Sequence, residues 1–354
     1  MKILVDLAMT KIGGGKNYAL NQLDEIAKII NKKAIRCICS NEEIEKYLRN
    51  ISIETIRVSN NPIILIFQEI IIFIRNILIG EYCLQYSLNN YVIPLLLGKY
   101  VTLYQNVKVF NEGVDKKNNK ETIKYYFINK LSQLSLHLSK KNIFVSNHIS
   151  KLTAKNIKIR KKNIVIYSGF KENTIIRKIE KKKNNLLSVS SGSGKQKNIN
   201  ILIDSIKHLK NRVILKIAGK VTLNNSMNIE LLGYLKYEDL QREYQSAYIY
   251  ISPSTFESFN FTPMEAMSCG TPCILSDIPV HHEIYGKSAL YFNPYSAHEL
   301  SKKIELLLDD KILYDDLVQR GYKQIQKYSW KKNAEELVKV FEEISGQKLR
   351  INNE

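Results

Sequence analysis

The sequence predicts an α/β protein built from two doubly wound, Rossmann-like domains facing a central cleft. Short β-branched runs alternate with amphipathic helical stretches, a polar stretch at 171–185 divides two such series, and the glycine-bearing loops follow strands. A length of 354 residues suits two domains of ordinary size. With 44% hydrophobic and 25% charged residues, wholesale disorder is excluded.

The first series opens with a strand at Ile3–Leu7, a Gly13-Gly14-Gly15 turn and a helix near Tyr18–Ile30. That helix places Leu20, Leu23, Ile26, Ala27 and Ile30 on one face of a 3.6-residue period. Further strands are expected at 36–39, 81–87, 100–104 and 142–145. Residues 62–80 have nearly the length of a membrane span, but Gln68, Glu69, Arg75 and Asn76 interrupt them. A charge at mid-membrane costs ~2.5–3.5 kcal/mol, so a buried or membrane-facing helix of a soluble domain is predicted. The N-terminal stretch Met1–Asp6 turns polar too soon for a signal peptide. The second series has strands near 186–190, 213–218, 248–251 and 273–275. Helices are expected near 199–210, 237–246, 263–269, 297–308 and 311–327. Domain limits of 1–170 and 171–330 follow, with 331–354 as a terminal helix.

Lys and Arg number 53 against 34 Asp and Glu, a net charge of +19. Residues 1–175 hold 27 basic and 13 acidic residues, net +14, and the remainder is net +5. The basic half implies an anionic partner: nucleic acid, an anionic membrane surface or a phosphate-bearing substrate. Nucleic acid is disfavoured, since zinc-finger spacing, an RRM-type aromatic motif and a basic heptad region are all missing. The runs at 158–162 and 181–183 read either as solvated loops or as anion contacts. The five cysteines, Cys37, Cys39, Cys83, Cys269 and Cys273, lack C-x-x-C spacing and a histidine cluster. Neither a disulfide framework nor a zinc site is expected, and the chain reads as cytoplasmic.

Three loops carry chemistry. Residues 252–272 leave a strand and enter a short helix at Thr262-Pro263, read as N-cap and first helical residue, with Gly270 and Pro272 stopping it. Glu257 stands in the loop and Glu265 in the first turn, beside amide groups suited to an anion. Thr262-x-x-Glu265 reads equally as a capping box, in which Glu265 serves its own helix. Residues 190–198 form a Gly-Lys loop around Gly192, Gly194, Lys195 and Lys197. It is not a Walker A loop, because Val189 and Gln196 stand where glycine and Ser or Thr are needed. The Gly13–Gly15 turn lacks the dinucleotide spacing.

Taken together, Glu257-x7-Glu265 and the following Ala266-Met267-x-Cys269-Gly270-x-Pro272 resemble the E-x7-E signature of family 4 (GT4) retaining glycosyltransferases of the GT-B fold. The likeness continues through Lys197-Asn198, Ile217-Ala218-Gly219, Leu232-Gly233-Tyr234-Leu235, Asp277-Ile278-Pro279 to Glu283, Ala289 to Pro294, and Tyr328-Ser329-Trp330. In the first half it is carried by Gly13–Gly15, Phe144-Val145-Ser146 and Ile166 to Gly169. The resemblance implies a retaining transferase of surface-polysaccharide synthesis. It would use a UDP- or GDP-sugar donor and a glycan or lipid-linked glycan acceptor. No cofactor or metal is implied, and the enzyme would lie at the inner face of the cell membrane.

By the same resemblance Glu257 and Lys197 are catalytic, Glu257 at the donor sugar and Lys197 at the diphosphate. Gly14, Gly15, Lys195, Gly219, Gly233, Tyr234, Leu235, Phe259, Asn260, Phe261 and Glu265 bind the donor, Glu265 through its ribose. Gln105 and Asn106 lie on the acceptor side, and the segment after Trp330 crosses back to the first domain. Three positions depart from the family pattern. Asn260 replaces a glycine, Ser191 to Ser193 stand where an upstream Arg or Lys is usual, and Gln105-Asn106 replace a histidine, as in a subgroup with Asn there.

A lysine and oriented amide groups can stabilise a leaving diphosphate without a metal. Asp309-Asp310 and Asp315-Asp316 read as solvated helix surface. His281-His282 are adjacent, so their side chains diverge. The competing expectations are another GT-B enzyme, such as an epimerase or a phosphorylase, and a non-catalytic protein binding an anionic surface.

Overall fold

The structure is a computed structural model that describes residues 2–10, 14–92, 99–105, 119–157, 163–171, 179–190, 194–209, 213–221 and 228–349. The chain divides into two compact units, Met1–Gly169 with Ser329–Glu354, and Phe170–Tyr328. Gly13, Asn106, Ser191–Ser193 with Gly192, the basic run at 158–162 and residues 172–178 of the polar stretch lie outside the described residues.

The first unit runs β1 (Lys2–Leu7), α1 (Gly14–Ile29), β2 (Ile35–Cys39), α2 (Glu42–Asn50), β3 (Glu54–Arg57), α3 (Pro62–Ile79), β4 (Tyr82–Ser87), β5 (Tyr100–Tyr104), α4 (Asn119–Leu138), β6 (Lys141–Phe144), α5 (Asn147–Asn156) and β7 (Asn163–Val165). Among the described residues its strands form one parallel sheet in the order β3-β2-β1-β4-β5-β6-β7. The central strands are buried on both faces, as parallel strands covered by helices must be. Leu4, Ile38 and Val58 join Leu65 and Phe73 of α3 in one apolar cluster. Local chemistry sets the helix starts: Asn41 caps α2 at the Ile44 amide ahead of Glu42 and Glu43, and Ser146 caps α5 at Ile149.

The second unit runs β8 (Lys182–Val189), α6 (Asn200–Ile206), β9 (Ile214–Ala218), β10 (Ile229–Gly233), α7 (Tyr237–Ser246), β11 (Ala247–Ser252), α8 (Thr262–Ser268), β12 (Cys273–Ser276), α9 (Pro279–Tyr285), β13 (Ala289–Phe292), α10 (Ala297–Asp309) and α11 (Lys311–Ile325). Its parallel sheet has the order β10-β9-β8-β11-β12-β13. That is a doubly wound order whose direction reverses between β8 and β11, the point where such sheets bind ligands. The chain then returns to the first unit as α12 (Trp330–Ser345), capped by Ser329 and ended by left-handed Gly346. There Trp330 meets Tyr18 edge-on, and Asn333 bonds Gln22 and the Tyr167 carbonyl.

Two expectations change. Strand β8 begins at Lys182, within the polar stretch read as a joint, because backbone pairing to Ala247 extends the strand while the Lys182 and Lys183 side chains stay exposed. Within the 181–183 run, Lys181 is neither solvated nor an anion contact. Its ammonium donates to the Gln245 and Ala247 carbonyls and to Thr271, and burial pushes its pKa down to about 8. Strands β3, β7, β10 and β13 and helices α2, α4, α5 and α9 were not singled out as elements. The edge strands β3 and β7 run three or four residues with no fully buried position, so hydropathy marks them weakly.

Candidate functional site

The candidate site is built at the carboxyl ends of β8 and β11. After β8 the chain forms a single 3-10 turn, Lys195–Lys197, closed by Asn198 in the left-handed region. After β11 comes the loop holding Glu257. The backbone ties the two together, Thr255 N–H donating to the Gln196 carbonyl at 2.8 Å. Across them Lys197 Nζ and Glu257 Oε1 meet at 2.6 Å, with both side chains largely shielded from solvent. Asn198 Nδ2 reaches the Pro294 carbonyl at 2.7 Å, adding the loop after β13. The two residues read as catalytic are therefore one ion pair. Lys195 lies exposed in the same turn.

Asn260 shows how the departure from glycine is absorbed. Its φ is +69°, in the left-handed region that asparagine tolerates best after glycine. Its side chain then locks the loop: Nδ2 donates to Ser252 Oγ at 3.0 Å and to His281 Nε2 at 2.9 Å, and Oδ1 accepts from Thr262. The Asn260 carbonyl accepts from the Tyr285 hydroxyl. His281 Nδ1 faces the Ser276 carbonyl at 2.8 Å, so the ring carries its proton there and accepts at Nε2. Burial pushes the His281 pKa down to about 4, keeping the ring neutral. Its neighbour His282 is exposed and pairs with Asp277 at 2.6 Å. Phe259 is buried against Phe261 and Tyr328, so its ring belongs to the core.

The capping-box alternative for Glu265 fails. Helix α8 starts at Thr262 with Phe261 as its N-cap, and no side chain caps it. Thr262 Oγ1 is engaged by Tyr250 and Asn260 instead, which corrects its reading as the N-cap. Glu265 Oε2 accepts from the Tyr244 hydroxyl at 2.7 Å. Burial raises the Glu265 pKa, and the Tyr244 bond opposes that shift. Tyr244 was not anticipated: it lies on α7, and nothing local in the sequence ties it to a residue 21 positions on.

Gly219 directly follows β9 and Gly233 ends β10, with Tyr234 exposed and Leu235 half-buried just beyond. Gly219 has φ +111°, and a Cβ there would stand 1.8 Å from the Ser190 carbonyl oxygen. Only glycine fits against that strand end.

In the first unit, α1 begins at Gly14 just beyond β1, and a Cβ on Gly15 would lie 3.7 Å from Gln105 Oε1, beyond β5. Beneath α3 sits a different kind of cluster. Asp6, at the end of β1, accepts from the Ala8 amide through Oδ1, while its Oδ2 and both oxygens of Glu69 are buried without a partner. Burial raises both carboxyl pKa values, and the Asp6 charge raises that of Glu69 further. Among the described residues no three of His, Cys, Asp and Glu converge as metal ligands, and the five cysteines are free and buried.

Two doubly wound parallel sheets, each with a loop-built carboxyl edge, place the chain in the GT-B class of glycosyltransferase folds. Residues 170–324 match the family of glycosyl transferases group 1, and this stretch is a glycosyltransferase domain of that group. An uncharacterized glycosyltransferase of Methanocaldococcus jannaschii is 29% identical over 58% of this chain and 60% of its own length. The O-antigen chain mannosyltransferase RfbU of Salmonella typhimurium is 28% identical over 65% of this chain and 67% of its own. The chain thus spans about three fifths to two thirds of these relatives. Anabaena HepE in complex with UDP and glucose superposes with a TM-score of 0.71 at 15% identity, covering 97% of this chain and 100% of that one. WaaG, a glycosyltransferase involved in lipopolysaccharide biosynthesis, does so at 0.71 and 14%, covering 98% and 100%.

Proposed function

We propose that this chain is a retaining, metal-independent transferase of the GT4 type. It moves a sugar from a UDP- or GDP-sugar to a glycan or lipid-linked glycan acceptor in surface-polysaccharide synthesis, working in the cytoplasm at the inner face of the membrane. Mannose is the sugar favoured by the relatives' names, RfbU among them. The observation that carries the reading is the Lys197–Glu257 pair at the point where the strand order reverses.

In this reading Glu257 holds hydroxyls of the donor sugar and Glu265 accepts from the ribose diol. Lys197 faces the diphosphate. An ammonium has three donors, so its bond to Glu257 does not exhaust it. As the glycosidic bond to phosphate breaks, negative charge grows on the leaving oxygen, and a positioned cation lowers that barrier. Retention follows if the acceptor hydroxyl attacks from the face the diphosphate leaves, passing its proton to the departing phosphate.

The test is nucleotide release from GDP-mannose and UDP-glucose, with and without a chelator. Turnover of one donor, kept within about twofold in EDTA and lost in Glu257→Ala with the fold intact, supports the reading. Failure of every nucleotide and nucleotide-sugar to raise the Tm overturns it, since a bound ligand must stabilise the folded chain.

A further inference from the structure

Helix α3 wears its apolar side outward. Ile64, Phe67, Ile71, Ile74 and Leu78 recur at alternating steps of three and four residues and are all exposed, Phe67 by 63%, Ile71 by 64% and Leu78 by 80%. The opposite face is spoken for: Leu65 and Phe73 join the core, and Glu69 is buried over Asp6. With that face held by protein, the helix cannot turn into a span, and among the described residues no helix is long and apolar enough to cross a membrane. An apolar stripe about 21 Å long (14 steps of 1.5 Å from Ile64 to Leu78) is larger than a scatter of surface leucines requires.

We infer that α3 is the element that docks this protein on an anionic lipid leaflet, lying in the interface plane with Phe67, Ile71 and Leu78 among the acyl chains. The inference rests on the proposed peripheral location and names the surface responsible. Charge selects the occupant. The first unit carries 31 basic and 17 acidic residues, net +14, against +5 for the second. The exposed charge on α3 is Arg75, while its acid, Glu69, is turned inward. A basic unit with an outward apolar helix matches acidic headgroups over acyl chains. A second copy fits poorly, because pairing α3 with itself brings two +14 units together and offers no exposed carboxylate for Arg75.

The experiment uses the full chain and vesicles of phosphatidylglycerol and phosphatidylcholine in equal parts, against pure phosphatidylcholine. Flotation with the anionic vesicles is expected. It should weaken about tenfold or more in the triple variant Phe67→Ser, Ile71→Ser, Leu78→Ser. Ile312→Ser, an equally exposed apolar site on α11 of the second unit, should leave it unchanged. Because Trp330 is the single tryptophan, Phe67→Trp adds a local reporter whose emission should shift to the blue with anionic vesicles. If the wild type floats and the triple variant floats equally, α3 is the wrong element and the peripheral location stands. If the wild type binds neither vesicle, the location itself fails and the inference with it. Equal binding to both vesicle types overturns the anionic leaflet. A wild-type dimer that the triple variant dissolves assigns the stripe to a second copy and overturns the lipid assignment.

Discussion

The two units handle buried charge in opposite ways. In the second, each titratable group near the strand ends has a partner: Lys197 has Glu257, Glu265 has Tyr244, and neutral His281 has Asn260 and the Ser276 carbonyl. In the first, Asp6 and Glu69 are buried with three of their four oxygens unpartnered, beneath a helix whose outer face is apolar. Paired groups hold a fixed geometry, which a transfer site needs. An unpaired carboxyl in the interior instead keeps its proton, and it ties stability to pH.

The largest effect should come from splitting the paired side. Lys197→Ala and Glu257→Ala are each expected to lower turnover about 10²–10³-fold, as loss of one charge-stabilising group does. Nucleotide release reads this, with circular dichroism checking the fold. Equal activity would remove the pair from the chemistry and dissolve the contrast between the units. Next comes Gly219→Ala, whose methyl group would collide with the Ser190 carbonyl. A loss of roughly 3 kcal/mol is expected, seen as a fall of several degrees in Tm. The same change at Gly233, where nothing lies within 4 Å of a Cβ, suffers only from its φ of +62° and should cost less.

The first unit is probed through pH. Glu69 has a native pKa raised above its ordinary 4.5. The folded state therefore binds more protons than the unfolded one, and stability is lost as pH rises from that ordinary value through the raised one. Glu69→Gln removes this slope. Relative to the wild type, the variant should gain stability steadily between pH 5 and pH 8, a window that lies wholly between the ordinary value and the native one of about 9. Urea unfolding at the two pH values measures it, and parallel curves would mean that the acid pair is not buried as described. The smallest effect is expected for Asn260→Gly. The φ of +69° remains allowed while the bonds to Ser252 and His281 disappear, for a loss of about 1 kcal/mol.

Those same particulars explain what could be read in advance. The place of the E-x7-E loop was legible because its pattern is local: a strand, a loop and a helix start, with the carboxylates eight positions apart. Lys197 was legible by the same rule on the neighbouring strand. Tyr244, His281 and Tyr285 were not recognised as supports of those residues. They reach the loop from α7 and α9, and sequence distance does not encode hydroxyl or imidazole reach. The capping-box pattern at Thr262 could be resolved only by seeing where its hydroxyl turns. Glu69 looked like an interruption in an apolar run. Its face of the helix, inward over Asp6, is set by packing.

The sequence by itself determined the alternation of strands and helices, the two-unit division, the excess of basic charge in the first unit and the residues at the strand ends. All of these depend on neighbours within a few positions, on periodicity or on simple counting. Tertiary structure alone decided that Lys197 and Glu257 touch, that Asn260 can stand in for glycine, and which side of α3 faces out. Each of these is a relation between residues far apart in the chain, and it exists only once the sheet has brought their backbones together.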